Sequence, residues 1–183
     1  MKKIVLTFGL ISGVILSAMM VMTLPFQDRI GYDKGEIIGY TTMVLASLLI
    51  FFGVRAYRDN VAGGTVRFGR AFGVGMLIAS VAAVCYVATW EVLYFNFMPD
   101  FAQKYQAHVL EKAKADGASE QELAKQKADF EKYAVMYKNP AINAAVTFLE
   151  PMPVALAMSL VTAGVLSRRK RTGVGHAASV GVA

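Results

Sequence analysis

Residues 71–98 read AFGVGMLIASVAAVCYVATWEVLYFNFM, with Glu91 as the only charge. As a helix, a run of this length rises about 40 Å, more than the roughly 30 Å hydrocarbon core of a bilayer. A helix on the surface of a soluble domain keeps a polar face, and this run has none. Three more runs share its character. Residues 4–24 and 37–54 carry no charge, and residues 141–166 are interrupted only by Glu150. The chain is 56% hydrophobic over 183 residues, against about 45–50% for an ordinary soluble domain. Four such runs in so short a chain leave too little polar surface to cover them in water. The expected fold is an all-α membrane protein of four transmembrane helices, packed as a four-helix bundle. The Met1-Lys2-Lys3 start also suits a secretory signal. The first apolar run is longer than a signal core, and no small-residue cleavage site follows it, so it reads as an uncleaved span.

Charge sets the expected orientation. Lys2, Lys3, Arg55, Arg58, Arg67, Arg70, Arg168, Arg169, Lys170 and Arg171 flank one set of span ends, against Asp59 alone. Between the first two runs, Asp28, Arg29, Asp33, Lys34 and Glu36 carry a net charge of minus one. Residues 99–139 hold seven lysines, seven acidic residues and no arginine. The positive-inside rule then puts both termini in the cytoplasm. The chain is expected in a bacterial cytoplasmic (inner) membrane, with residues 99–139 outside and a disordered cytoplasmic tail over 171–183. This distribution also accounts for the net charge of +6 without nucleic acid. The lipid bilayer is the implied neighbour of the basic clusters.

The outer segment has helical texture. Phe101, Tyr105 and Val109 recur at four-residue spacing, and Asp116-Gly117 breaks the pattern. Ser119 with Glu122 three residues on is a capping-box signature. Leu123, Phe130, Ala134 and Tyr137 then form one apolar stripe, and Asn139-Pro140 marks a stop and a new start. An extracytoplasmic helical hairpin between spans three and four is expected. It serves as a solvated cap, as a lid over a membrane site or as a partner-binding arm.

Glu91 and Glu150 are the chemically informative residues. Measured along ideal helices, Glu91 lies about 31 Å from Arg70, and Glu150 about 27 Å from Arg168. Both are therefore expected near the outer edge of the hydrocarbon. An ionisable side chain at membrane depth is costly unless it faces the protein interior, water or a partner. Three readings stand. The carboxylates are wet and interfacial, within an aromatic belt of Trp90, Tyr94 and Tyr86. Or they face inward and bind a proton or cation, or clasp each other. Or they recognise a cationic or polar ligand beneath the hairpin. His108 with two distant carboxylates lacks metal-site spacing, so no metal and no cofactor are expected. The single cysteine, Cys85, permits no internal disulfide.

Small residues at four-residue spacing, Gly9, Gly13 and Ser17, allow close helix approach. So do Gly69 with Gly73, and Ala155, Ser159 and Ala163. They fit packing within one chain or a homo-oligomer equally well. Pro151 and Pro153 remove backbone donors, so a kink or break is expected in the fourth span. The chain contains no phosphate loop, no H-E-x-x-H zinc motif and no G-x-S-x-G nucleophile elbow. Those motif-bearing enzyme classes have no support, and no activity is expected.

Several ordered strings are distinctive: IGYTTMVLA at 38–46, FGVRAYRDN at 52–60, GGT at 63–65 and FGRAF at 68–72. CYVATWE at 85–91, PDF at 99–101, YKNP at 137–140 and TFLEP at 147–151 follow. Over residues 4–170 the chain resembles the bacterial membrane-protein family catalogued as domain of unknown function 4199. The resemblance implies a small multi-span inner-membrane protein and no particular activity. Its motif residues Arg55, Arg58 and Asp59, together with Arg67 and Arg70, form a candidate cytoplasmic cluster, structural or partner-facing. The functional expectation is a non-enzymatic accessory, sensing or interaction component, with a membrane or periplasmic protein partner. The alternative is a small transporter or proton- or cation-coupled protein using Glu91 and Glu150.

Overall fold

A computed structural model describes residues 1–167. The tail at 171–183 and the basic run Arg168 to Arg171 lie outside the described residues. Within them the chain is helical, with no strand. The elements are α1 (Lys2–Thr23), a short 3-10 turn (Leu24–Phe26), α2 (Gln27–Ile30), α3 (Tyr32–Asn60) and α4 (Phe68–Phe97). Then come α5 (Phe101–Ala115), α6 (Glu120–Tyr137), α7 (Pro140–Leu149) and α8 (Met152–Leu166). Four helical segments are long and apolar enough to cross a membrane: Lys2–Ile30, Tyr32–Asn60, Phe68–Phe97 and Pro140–Leu166. The helices outrun the apolar blocks where polar ends continue the backbone ladder into water. Hydropathy reads the thickness of the solvent, not the length of the helix.

The outer surface of these segments is apolar. Leu6, Leu10 and Val14 on α1, Leu45 and Phe52 on α3, and Leu160 and Val161 on α8 are all exposed. No more than 39% of any apolar window is buried inside the protein. In water, a contiguous surface of this kind drives association, whereas in lipid it is simply solvated. The chain is thus built as a membrane protein.

α1 packs on α3 and α4, α8 packs on the same two helices, and α3 touches α4 across the middle. Without a hydrophobic gain between helices in lipid, such packing depends on close approach. Glycine supplies it between α1 and α4. A β-carbon on Gly9 would lie 2.6 Å from the Val81 β-carbon, and one on Gly13 would lie 2.6 Å from that of Cys85. Beside this seam the Ser17 hydroxyl donates to the Cys85 carbonyl at 3.3 Å, and Thr89 donates to Ser17 at 2.8 Å. Ala155, Ser159 and Ala163 are likewise buried within the chain. The small-residue lines of α1 and α8 are therefore spent inside one protomer, while Gly69 and Gly73 face open space.

One core cluster joins Val5, Val54, Tyr57, Val66, Ala71 and Leu166, so the Lys2, Arg55–Arg58 and Arg67–Arg70 regions share one end of the molecule. The other end carries α2, the acidic start of α3 and the α5–α6 hairpin. Gly31, at φ 84°, turns the chain from α2 into α3. Between the ends, a cavity of about 30 Å³ lies beside Ser12, Ser47 and Pro151. That is room for a single water.

Candidate functional site

The site grows from the edge that α4 presents to α7. Tyr86 and Trp90, one turn apart, lie on that edge. Asn143 and Thr147 lie on the facing edge of α7, with Glu150 at its end. The Trp90 indole N–H donates to Asn143 Oδ1 at 2.7 Å, and the Tyr86 hydroxyl donates to Glu150 Oε2 at 2.9 Å. Asn143 is fully buried and is used on both sides of its amide. Its nitrogen donates to the Tyr137 carbonyl at 3.3 Å, and its oxygen also accepts from the Thr147 hydroxyl at 3.3 Å. These bonds tie α4, α6 and α7 together where water would otherwise have to solvate them.

Pro151 decides where Glu150 sits. Lacking an N–H, it cannot continue the ladder, and Glu150 N instead makes a tight 3.3 Å bond to the Thr147 carbonyl. α8 restarts at Met152. The fourth span is thus two helices with Glu150 at the break. α3 packs on α8 but makes no extended seam with α7. Glu150 remains exposed there.

Glu91 goes elsewhere. It is rotated about 100° from Trp90 and about 140° from Tyr86 around α4. One of its oxygens, Oε1, is enclosed without a hydrogen-bond partner. Glu150 is held by Tyr86, whereas no hydrogen bond to Tyr86 or Glu150 is made by Glu91 among the described residues. Trp90 and Tyr86 are not a lipid-facing belt either. Their polar atoms are committed to α7.

The hairpin closes over this end. α5 and α6 run antiparallel, with Tyr105 against Phe130 at 6.2 Å between ring centroids. Trp90 stacks on Tyr94 at 5.4 Å and meets Phe101 edge-on at 5.3 Å. Tyr32 of α3 contacts Phe101, Tyr105 and His108, the last at 5.0 Å. A continuous aromatic layer therefore separates the hairpin from the span ends. Ion pairs fix its register. Lys104 reaches Asp28 at 2.9 Å and Asp100 at 3.1 Å, and Asp33 accepts Lys112 at 2.8 Å with His108 at 3.3 Å. Hydrogen bonds to Asp28 and Asp100 push the Lys104 ammonium above its ordinary range, and the bond to Asp33 does the same for Lys112. Burial raises the Tyr105 phenol, helped by the carboxyl of Glu36, the phenol of Tyr40 and the carboxyl of Glu150. Burial followed by Glu150 and Tyr94 raises Tyr137.

The family described as protein of unknown function, DUF4199, matches residues 7–168. The chain belongs to that family. No curated protein and no solved structure matches it.

In this DUF4199 protein the arginine cluster is only partly assembled. Arg58 meets Asp59 at 2.7 Å and Arg55 meets it at 3.7 Å, all three at the end of α3. Arg67 and Arg70, at the start of α4, are exposed and join no ion pair among the described residues. Among the described residues, no group of three His, Cys, Asp or Glu side chains comes together to hold a metal. Sequence reading missed Asn143, although a lone amide inside an apolar run carries the same signal as a lone carboxylate. It also missed the match of Lys104, His108 and Lys112, each four residues apart, to Asp28 and Asp33.

Proposed function

We propose that the protein is a non-enzymatic accessory or sensing component of the bacterial cytoplasmic membrane. Both termini lie in the cytoplasm, and the α5–α6 hairpin stands on the outer face to meet a partner. The lysines and arginines gathered at the end away from the hairpin support this orientation. The observation that carries the role is the division of the hairpin into two faces. α5 is occupied by the aromatic layer and the ion pairs, whereas Tyr133, Val135 and Met136 of α6 are 60%, 68% and 48% exposed. A photo-crosslinker at position 133 should capture one discrete protein band from whole cells, and one at position 105 should not. Equal, diffuse labelling from both positions would overturn the reading.

The exposed carboxyl at the break of α7 favours a second reading, a cation- or proton-coupled membrane protein working through Glu150. Broken spans whose half-helix ends face a cavity are a recurring ion-site geometry. Under this reading Glu150→Gln abolishes pH-dependent flux in proteoliposomes, and capture through position 133 persists.

A further inference from the structure

Where α2 turns into α3, an open cavity of about 340 Å³ lies between Gln27, Asp28, Tyr32, Asp33, Lys34 and His108. Clefts of a few hundred Å³ are the size that holds small ligands. Its wall carries groups of both signs with unused bonding capacity. Gly31 gives α3 no side-chain cap, and the first rung of the helix runs from the Gly35 N–H to the Gly31 carbonyl at 3.0 Å. The N–H groups of Tyr32, Asp33 and Lys34 therefore have no hydrogen-bond partner among the described residues. They form the positive end of a 29-residue helix. Gln27 is a second, independent sign of a ligand. It lines the cavity at 8% exposure, and its amide makes no hydrogen bond among the described residues. A buried amide without a partner is costly unless something in the cavity bonds it. Acceptors are spare as well. Asp28 Oδ2 takes Lys104, and Asp33 Oδ1 takes Lys112 and His108. Asp28 Oδ1 and Asp33 Oδ2 are left unused among the described residues.

We infer that this cavity binds a zwitterionic group, with an anion and a primary ammonium a few bonds apart. The anion lies at the N-terminus of α3, where the three N–H groups, Lys34 and the helix dipole favour it. The ammonium lies against the spare oxygens of Asp28 and Asp33, and the Gln27 amide bonds whichever end passes it. A lone anion would meet the two carboxylates, and a lone cation would meet Lys34, Lys104 and Lys112. A zwitterion answers both signs. Two sources supply this chemistry. Residues 27–34 join an apolar run that ends at 24 to one that starts at 37, which is headgroup depth, so an aminoalkyl phosphate headgroup of a lipid can enter. A free amino acid carries the same pair of charges. Either would touch α2, α3 and, through His108, α5, so the hairpin feels occupancy of the cavity. The site is separate from Glu150 and from the exposed face of α6, and neither reading of the function depends on it.

The purified full chain in phosphatidylglycerol nanodiscs is titrated by calorimetry with glycerophosphoethanolamine. Saturable binding is expected, and glycerol 3-phosphate or ethanolamine alone should bind roughly tenfold more weakly or less. Gln27→Leu removes an amide that has no partner, so it should not lower the thermal midpoint, and it should weaken binding by about three- to tenfold. Asp28→Asn and Asp33→Asn together should weaken it by roughly tenfold or more. Glu150→Gln should leave it unchanged. Nanodiscs containing phosphatidylethanolamine distinguish the sources. A midpoint raised there assigns the cavity to a lipid headgroup, and an unmoved midpoint assigns it to a free zwitterion. Absence of saturable binding, equal binding of either half alone, or binding that survives both Gln27→Leu and the paired Asn replacements overturns the inference. Capture through position 133 and flux through Glu150 are read separately and stand or fall without it.

Discussion

The α1–α4 seam and the seam beneath the hairpin are built by opposite means. Between α1 and α4, backbones meet at Gly9 and Gly13 with no space for even a methyl group. Beneath the hairpin, large rings fill the gap, and half-exposed ion pairs set the register. The solvent explains the contrast. In lipid, an apolar side chain gains little by leaving the surface, so only close fit and buried hydrogen bonds favour one helix pairing over another. At the water boundary, ring burial is favourable in the ordinary way. The span packing is a frame that tolerates little change. The hairpin is the part that salt, pH or a ligand can shift.

The sharpest way to break this contrast is to add volume to the frame. Gly9→Val puts branched carbon where Val81 already stands. We expect a loss of about 1–3 kcal/mol or more, seen as a lowered thermal midpoint in detergent and a shift to aggregated material on size exclusion. Gly73→Ala, facing open space, should stay within about 0.5 kcal/mol of the parent. Equal melting of the two variants would mean that α1 and α4 are not so close.

A smaller effect is expected at the rung joining frame to hairpin. Asn143→Leu removes the acceptor for Trp90 and the donor to the Tyr137 carbonyl, leaving both without partners. The expected loss is about 1–3 kcal/mol, with a changed Trp90 emission maximum. Unchanged emission would show that the indole N–H is not held by Asn143.

The two regions were also unequally legible. The four apolar runs announce the spans because lipid demands about 20 apolar residues regardless of partner. The turn at Asp116-Gly117 and the capping box at Ser119 were readable because caps are local chemistry, and both are formed. The break at Pro151 was readable for the same reason. Which carboxylate meets which partner was not readable. It depends on the rotation of α4 and on where α7 stops, and these are set by contacts between residues 64 apart, such as Tyr86 and Glu150. Rise per residue put Glu91 and Glu150 at one depth. Rotation sends them to different surroundings.

Within the hairpin, the cap is the next test. The Glu122 carboxyl accepts from the Ser119 backbone N–H and hydroxyl, and these bonds hold it below its ordinary range. Ser119→Ala should cost about 1 kcal/mol of local helix stability, read as faster amide exchange in the first turn of α6 and not in α4. Faster exchange throughout α4 would mean that the hairpin and the spans unfold as one unit, which erases the contrast.

The ion pairs should give the smallest effect, because exposed pairs contribute little and are screened. Asp100, held below its ordinary value of 3.8 by Lys104, contributes fully above that pH and loses its contribution as pH falls through the lowered value. Lys104 and Lys112, held above 10.5, contribute fully below that pH and lose theirs as pH rises through the raised values. Hairpin docking should therefore be flat in pH between about 4 and 10 and loosen outside that window, while salt loosens it throughout. Joint replacement Lys104→Ala and Lys112→Ala should raise amide exchange in α5 a few-fold at neutral pH. Molar salt should do the same to the parent and add nothing to the variant. If neither moves α5, the aromatic layer alone holds the hairpin, and the acidic start of α3 is free for another partner.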